Sequence, residues 1–219
     1  MSQLIVNPSL DFHAIRASGG TWAASRDAEA GSSVADPYNV VWAWNVYYTT
    51  YTVYRGFIQF DVSAIPARAI IDSATLSFYI DAQYEAVAWS LYVLKATFGA
   101  AVAASFNDFE GWAASGPYSV INLIGSFDNV DVSEGSYNDI ALNANGKNLI
   151  QEVLSGGKLL KLALLLNYDV TDVAPADAEF GARVQIQSAE GLNVPKLTIN
   201  YTAQSGLSKR RNHIITGLY

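Results

Sequence analysis

The segment Tyr54-Arg55-Gly56-Phe57-Ile58-Gln59-Phe60-Asp61-Val62-Ser63-Ala64-Ile65-Pro66, followed by Ile71-Asp72-Ser73-Ala74-Thr75-Leu76-Ser77-Phe78-Tyr79-Ile80, constrains the fold more than any other part of the chain. Ile58 and Phe60, then Ala74, Leu76, Phe78 and Ile80, put small or apolar side chains at every second position, which in an extended chain is one face. The pattern predicts two half-buried strands joined by a polar, proline-containing corner. Its buried set is Ile58, Phe60, Leu76, Phe78 and Ile80, joined further on by Leu197 and Ile199. Asp61 is expected to accept backbone hydrogen bonds at the corner.

The same period recurs along the chain. It predicts strands at Leu4–Val6, Phe12–Ala17, Val40–Tyr54, Gly56–Val62, Ser73–Asp81, Ser90–Ala96, Asn138–Leu142, Leu159–Tyr168, Arg183–Ser188 and Lys196–Tyr201. Turn residues such as Ser18-Gly19-Gly20 and Ser155-Gly156-Gly157 separate them. One helix is expected, Asn145 to Leu154, capped by Asn143 or Asn145, with an apolar stripe of Leu149, Ile150, Val153 and Leu154 and with Gly156 at its C-terminal end. About ten strands with one short helix and no fixed-period repeat predict an all-β, jelly-roll-like antiparallel β-sandwich. Residues 1–202 form this domain. The composition breaks near Ala203, and residues 203–219 read as a basic, apolar C-terminal arm.

Composition excludes several classes of function. The net charge is −7, yet Lys209, Arg210 and Arg211 lie in a tail without acids, so the first 202 residues carry ten basic against 20 acidic side chains. A body of about −10 repels polyphosphate, which argues against nucleic acid as the main ligand. There is no cysteine, hence no disulfide or thiolate chemistry, and His13 and His213 are too few for a histidine-rich metal site. The longest apolar runs, such as Leu162 to Leu166, fall far short of the roughly 20 residues of a membrane helix. Met1 to Pro8 shows no basic start, apolar core or Ala-x-Ala site, which favours assembly in a cytoplasm and release by lysis over secretion.

The ordered pieces Arg55-x-x-x-x-Phe60-Asp61-x-Ser63-x-Ile65-Pro66, Ile71-x-Ser73-Ala74-x-Leu76, Asn138-Asp139-Ile140-x-Leu142, Ser188-x-Glu190 and Pro195-x-Leu197-x-Ile199-x-Tyr201 resemble the DNRLRE-type domains. That jelly-roll family is similar to carbohydrate-binding modules. The likeness spans roughly residues 10–202, with Phe109-Glu110-Gly111-Trp112 approximating the family's Trp-rich acidic stretch. Members occur in polysaccharide-degrading enzymes, adhesins and phage structural proteins. The resemblance therefore implies binding or scaffolding and no reaction.

The densest aromatic patch is Tyr38, Trp42, Trp44, Tyr47, Tyr48, Tyr51 and Tyr54. Aromatic rings stack on sugar rings or anchor subunit contacts, so Trp42, Trp44, Tyr47, Tyr48 and Tyr51 are candidate contacts to a glycan or a neighbouring subunit. As one strand, residues 40–54 would put Trp42, Trp44, Tyr48 and Tyr54 on one face and Tyr47 and Tyr51 on the other. No cofactor is expected. Calcium is weighed at two acidic sets, Asp128, Asp131, Glu134 and Asp139, and Asp169, Asp172, Asp177 and Glu179, although neither has the spacing of a known loop. Glu190 is expected to pair with Arg55 or Arg183. His13 lacks the partners of a catalytic base, and no paired carboxylates stand out, so the chain reads as a non-enzyme. In the tail, Ile214, Ile215, Leu218 and Tyr219 offer apolar anchors beside Lys209, Arg210 and Arg211, the make-up of an assembly arm. The sequence thus points to a phage virion subunit: a decoration, fibre or tail-associated protein, partnered by other subunits or copies of itself, and in contact with cell-surface glycans. The alternatives are an extracellular carbohydrate-binding module and a bacterial adhesin or filament subunit.

Overall fold

The computed structural model describes residues 1–28, 32–34, 38–46, 50–84, 87–99, 105–175 and 181–204, with backbone alone for 13–19, 32–34 and 38–46. The strands are β1 (Ser2–Val6), β2 (Pro8–Gly19), β3 (Ser32–Val34), β4 (Tyr38–Val46), β5 (Thr50–Asp61), β6 (Ile70–Tyr84), β7 (Ser90–Lys95), β8 (Gly125–Asp128), β9 (Ser136–Ala141), β10 (Leu159–Leu166), β11 (Ala182–Gln187) and β12 (Lys196–Thr202). The helices are α1 (Trp22–Arg26), α2 (Ala144–Leu154) and α3 (Asn167–Thr171). Two antiparallel sheets pack on each other, so the expected all-β sandwich is the fold.

Two long strands organise it. The first part of β6 pairs with β12, which carries β1 outside it, while β9 lies on the other side of β6. Strand β5 pairs with β2 along its length, and on its other side with β4 over its first half and β10 over its second; β7 and β8 follow β10. Strand β11 joins the last part of β6 to β4, so hydrogen bonding runs continuously from one sheet to the other. The expected core residues Ile58, Phe60, Leu76, Phe78, Ile80, Leu197 and Ile199 are all buried. Asp61 accepts the Ser63 amide at 2.8 Å, as expected at the corner, and this bond holds its carboxyl below the usual range.

Several sequence-based expectations need correction. Residues 40–54 are not one strand: β4 ends at Val46 and β5 begins at Thr50, and the two are antiparallel neighbours. The chain reverses inside an aromatic run whose residue types all favour strands, so propensity gave no break to read. Among the described residues three α-helices replace the single one expected. Helix α2 matches, with Asn143 as its cap accepting from the amides of Asn145 and Gly146. Helices α1 and α3, five residues each, are too short to show a period. Beyond α2 the left-handed residue is Lys158, at φ 56°, and not a glycine.

Strand β5 is buried on both faces, and its second face explains much of the rest. By alternation, Val53, Arg55 and Phe57 oppose Ile58 and Phe60. The connection from β7 to β8 folds over them: Phe98 meets Phe12 and Phe57 edge-on at 5.2 and 5.8 Å, and Phe12 stacks on Phe57 at 5.0 Å. Phe106, Phe109 and Tyr118 from the same connection are buried beside Arg55. An aromatic second layer thus roofs one sheet.

Candidate binding surfaces and the buried charge network

The most strongly organised polar group lies beneath that roof. Arg55 of β5 is fully buried. Its Nε donates to Asp169 Oδ2 at 2.7 Å and its Nη2 to Oδ1 at 2.8 Å, a bidentate pair. Its Nη1 donates to the Phe106 carbonyl at 2.9 Å and to Asn107 Oδ1 at 2.7 Å, and its Nη2 also reaches the Arg26 carbonyl and the Tyr118 hydroxyl. The guanidinium lies 3.8 Å from the Phe106 ring centroid. Arg26 of α1, equally buried, donates from Nε to the Asp169 carbonyl at 2.6 Å, from Nη2 to the Gly116 carbonyl at 2.7 Å, and to Asp27. Asp172 lies 3.5 Å from Arg26.

Four separate pieces of chain, α1, β5, the 105–118 connection and α3, therefore converge on two guanidinium groups. Burial alone pulls the Arg55 pKa down, but Asp169 and Tyr118 lift it above its ordinary value, so the charge is retained. Burial, reinforced by Asp169, pushes the Tyr118 phenol well up, so it remains a protonated donor. Both guanidinium groups and Asp169 are closed to solvent, and Arg55 is fully partnered. Its chemistry is that of a brace.

The network corrects two readings. Arg55 pairs with Asp169, whereas Glu190 accepts from the Ser188 hydroxyl at 2.9 Å. Arg183 donates to Gln185 and lies over the Tyr84 ring at 5.0 Å. Asp169 is held by arginine and is not placed for calcium. In the other acidic set, Glu134 accepts the Gln83 amide at 2.6 Å and Asp128 the Ser90 hydroxyl. Among the described residues no three metal-capable side chains gather; Asp177 and Glu179 lie outside them.

The candidate aromatic contacts are only partly described. Register sets Trp42 opposite Tyr54, Trp44 opposite Thr52 and Asn45 opposite Tyr51, so the patch is a cross-strand array instead of one strand's two faces. The side chains of Trp42 and Trp44, and Tyr47 and Tyr48 altogether, lie outside the described residues. Tyr51 is half-buried and meets Trp22 edge-on at 5.8 Å, which makes it a packing residue. His13 sits in β2 opposite Gly56, with its side chain outside the described set. Lys209, Arg210, Arg211, Ile214, Ile215 and Tyr219 of the tail also lie outside it.

Sequence reasoning missed one surface. A groove of about 240 Å³ runs along the first turns of α2, with Lys95, Glu110, Asn122, Asn148 and Glu152 on its walls and Ile124 and Leu149 in its floor. Lys95 and Glu152 meet at 3.3 Å. The side chains of Glu110, Asn122 and Asn148 have no hydrogen-bond partner among the described residues. By contrast, a hollow of about 290 Å³ beside Trp89 is lined by Asn129 and Asn167, whose side chains already accept the amides of Trp89 and Ser90. The groove joins three distant stretches of chain, so no local motif announces it.

No model of a known protein family matches the chain, and a search of curated proteins finds none similar to it.

Proposed function

We propose that this chain is a non-catalytic structural subunit of a bacteriophage virion, a decoration, fibre or tail-associated protein built on a rigid β-sandwich. The observation that carries the reading is the Arg26–Arg55–Asp169 network, in which the most deeply buried charged groups among the described residues hold secondary elements together. A particle subunit needs such rigidity, and an active site would keep those groups accessible. The acidic body argues against a genome-binding role, and the basic, apolar composition of residues 205–219 suits an arm that docks on an acidic neighbour. The test is a mass measurement on the native material: the chain should co-purify in a particle with many copies, and a version lacking residues 205–219 should fold yet fail to join it. Recovery of the full chain only as a free protein would reject the reading.

A glycan-binding module is the second reading, favoured by the groove beside α2. Its uncommitted amides and carboxylate match sugar hydroxyls, and its apolar floor matches a pyranose C–H face. Asn148→Ala with Glu110→Ala should then abolish retention on the polysaccharide without lowering the melting temperature. Retention that survives the double change would remove this reading.

A further inference from the structure

We infer that the outer edge of β1 is a pairing surface for β1 of a second copy of this chain, joining two sheets into one across a two-fold axis. Strand β1 stands at the end of the strand order, and among the described residues its one strand partner is β12. Its sequence, Ser-Gln-Leu-Ile-Val, contains no charge, no proline and no glycine. Exposed edges in monomeric proteins are normally blunted by Lys, Pro, bulges or inward charges, because unpaired backbone amides and carbonyls template further strands. None of these devices is present here.

The core also continues to this edge and stops unfinished. Leu4 and Val6 pack against the buried cluster yet remain partly exposed, and on the other face Ile5 is 55% exposed. The charge pattern selects the occupant. Although the first 202 residues carry a net charge of about −10, the edge strand β1 and its neighbour β12 hold no acid and one base, Lys196. Next to the edge the outer face is a neutral ladder, Gln3 to Asn200 at 3.2 Å and Asn200 to Ser73 at 3.0 Å. Two copies would otherwise repel each other; here they can meet along the side without negative charge. A two-fold axis through Leu4 sets Leu4 against Leu4, Gln3 against Ile5 and Ser2 against Val6 of the second copy, with no like charges opposed. Such antiparallel pairing supplies main-chain hydrogen bonds and covers Leu4 and Val6.

Five residues make a short seam. Pairing between isolated chains is therefore weak, and it gains strength where copies are already held close, as in the assembly proposed above. The inference rests on that reading only for its setting, since pairing is measured on the purified full chain.

The chain has no cysteine, so single substitutions report contact cleanly. Gln3→Cys, Leu4→Cys and Ile5→Cys, one at a time, cover the three central registers, and Leu192→Cys, at a 97% exposed site away from the strands, serves as the collision control. We expect at least one β1 variant to form a disulfide dimer about tenfold faster than the control, and Ile5→Lys, placed in the Leu4→Cys or Gln3→Cys background, to bring it back to the control rate. That change corresponds to about 1.4 kcal/mol in association. Independently, amide exchange of residues 2–6 in the unaltered chain should slow as protein concentration rises. Trapping no faster than the control for all three positions overturns the inference. So does trapping that appears only after residues 205–219 are removed, or β1 amides equally protected at every concentration, since the chain would then cover its own edge. A chain that pairs through β1 but belongs to no particle keeps this inference and loses the virion reading; one found in a particle without such pairing does the reverse.

Discussion

Asp169 and Asp11 show how single buried carboxylates can act in opposite directions. Asp169 receives a bidentate pair from Arg55 and lies at the centre of the brace. Removing one partner of such a pair strands a buried charge, at a cost of about 3–5 kcal/mol. Asp169→Ala should therefore lower the urea midpoint by that equivalent. Arg55→Met combined with Asp169→Leu should remain destabilised, because the Phe106 carbonyl also loses its donor. Asp11, opposite Ile58, is 7% exposed; Oδ2 accepts the Ala189 amide at 2.9 Å while Oδ1 is buried without a partner among the described residues. Burial, with help from nearby Glu190, raises its pKa from 3.8 to about 6. The folded state then binds the proton more tightly than the unfolded chain, so Asp11 destabilises above about pH 6 and this penalty fades as pH falls toward 4. Asp11→Asn should be more stable than the parent at pH 7.5, by about 1–2 kcal/mol, and the two melting curves should converge near pH 4.

At the scale of elements, close approach outweighs intrinsic preference. Gly146 lies in the first turn of α2, where alanine would ordinarily gain about 1 kcal/mol of helix propensity. A Cβ there would lie 2.7 Å from Ile124 Cγ2 and 2.8 Å from Leu142 Cβ, both in the packed interior. Gly146→Ala should therefore destabilise, by about 1–3 kcal/mol. At Lys158 the sign reverses. Its φ of 56° is costly for a residue with a Cβ, so Lys158→Gly should stabilise by about 0.5–1 kcal/mol despite losing a surface bond to the Ser63 carbonyl. Both changes are read in thermal or denaturant unfolding.

For the whole molecule, the two sheets share one hydrogen-bonded path through β11 and β4, and the roof over β5 is anchored by the brace. Neither sheet can open without breaking the other's pairing. Unfolding followed by far-ultraviolet dichroism and by tryptophan fluorescence should therefore coincide in a single transition, although a 219-residue chain exceeds the usual two-state size. Separate transitions would mean that the roof or one sheet melts alone. In the Asp169→Ala chain the same argument predicts one transition shifted down by about 6–20 °C, and not a partly unroofed intermediate.

What the sequence determined is whatever depends on period and local chemistry. Alternation at Ile58 and Phe60, and from Ala74 to Ile80, identified strands and core, since side chains two apart must share a face; Asn143 identified the start of α2 because its side chain caps amides only two and three residues away. Short α1, α3, β3 and β8 carry too few residues for a period, and the reversal between β4 and β5 lies in residues that all favour strands. Tertiary structure alone decided which charges meet. Arg55 and Asp169 are 114 positions apart, and Glu190 was as plausible a partner by composition; only the folding of residues 105–118 and of α3 over the second face of β5 made Asp169 the neighbour. The same holds for the groove beside α2 and for the bare edge of β1. A surface assembled from distant segments leaves no spacing in the chain to read.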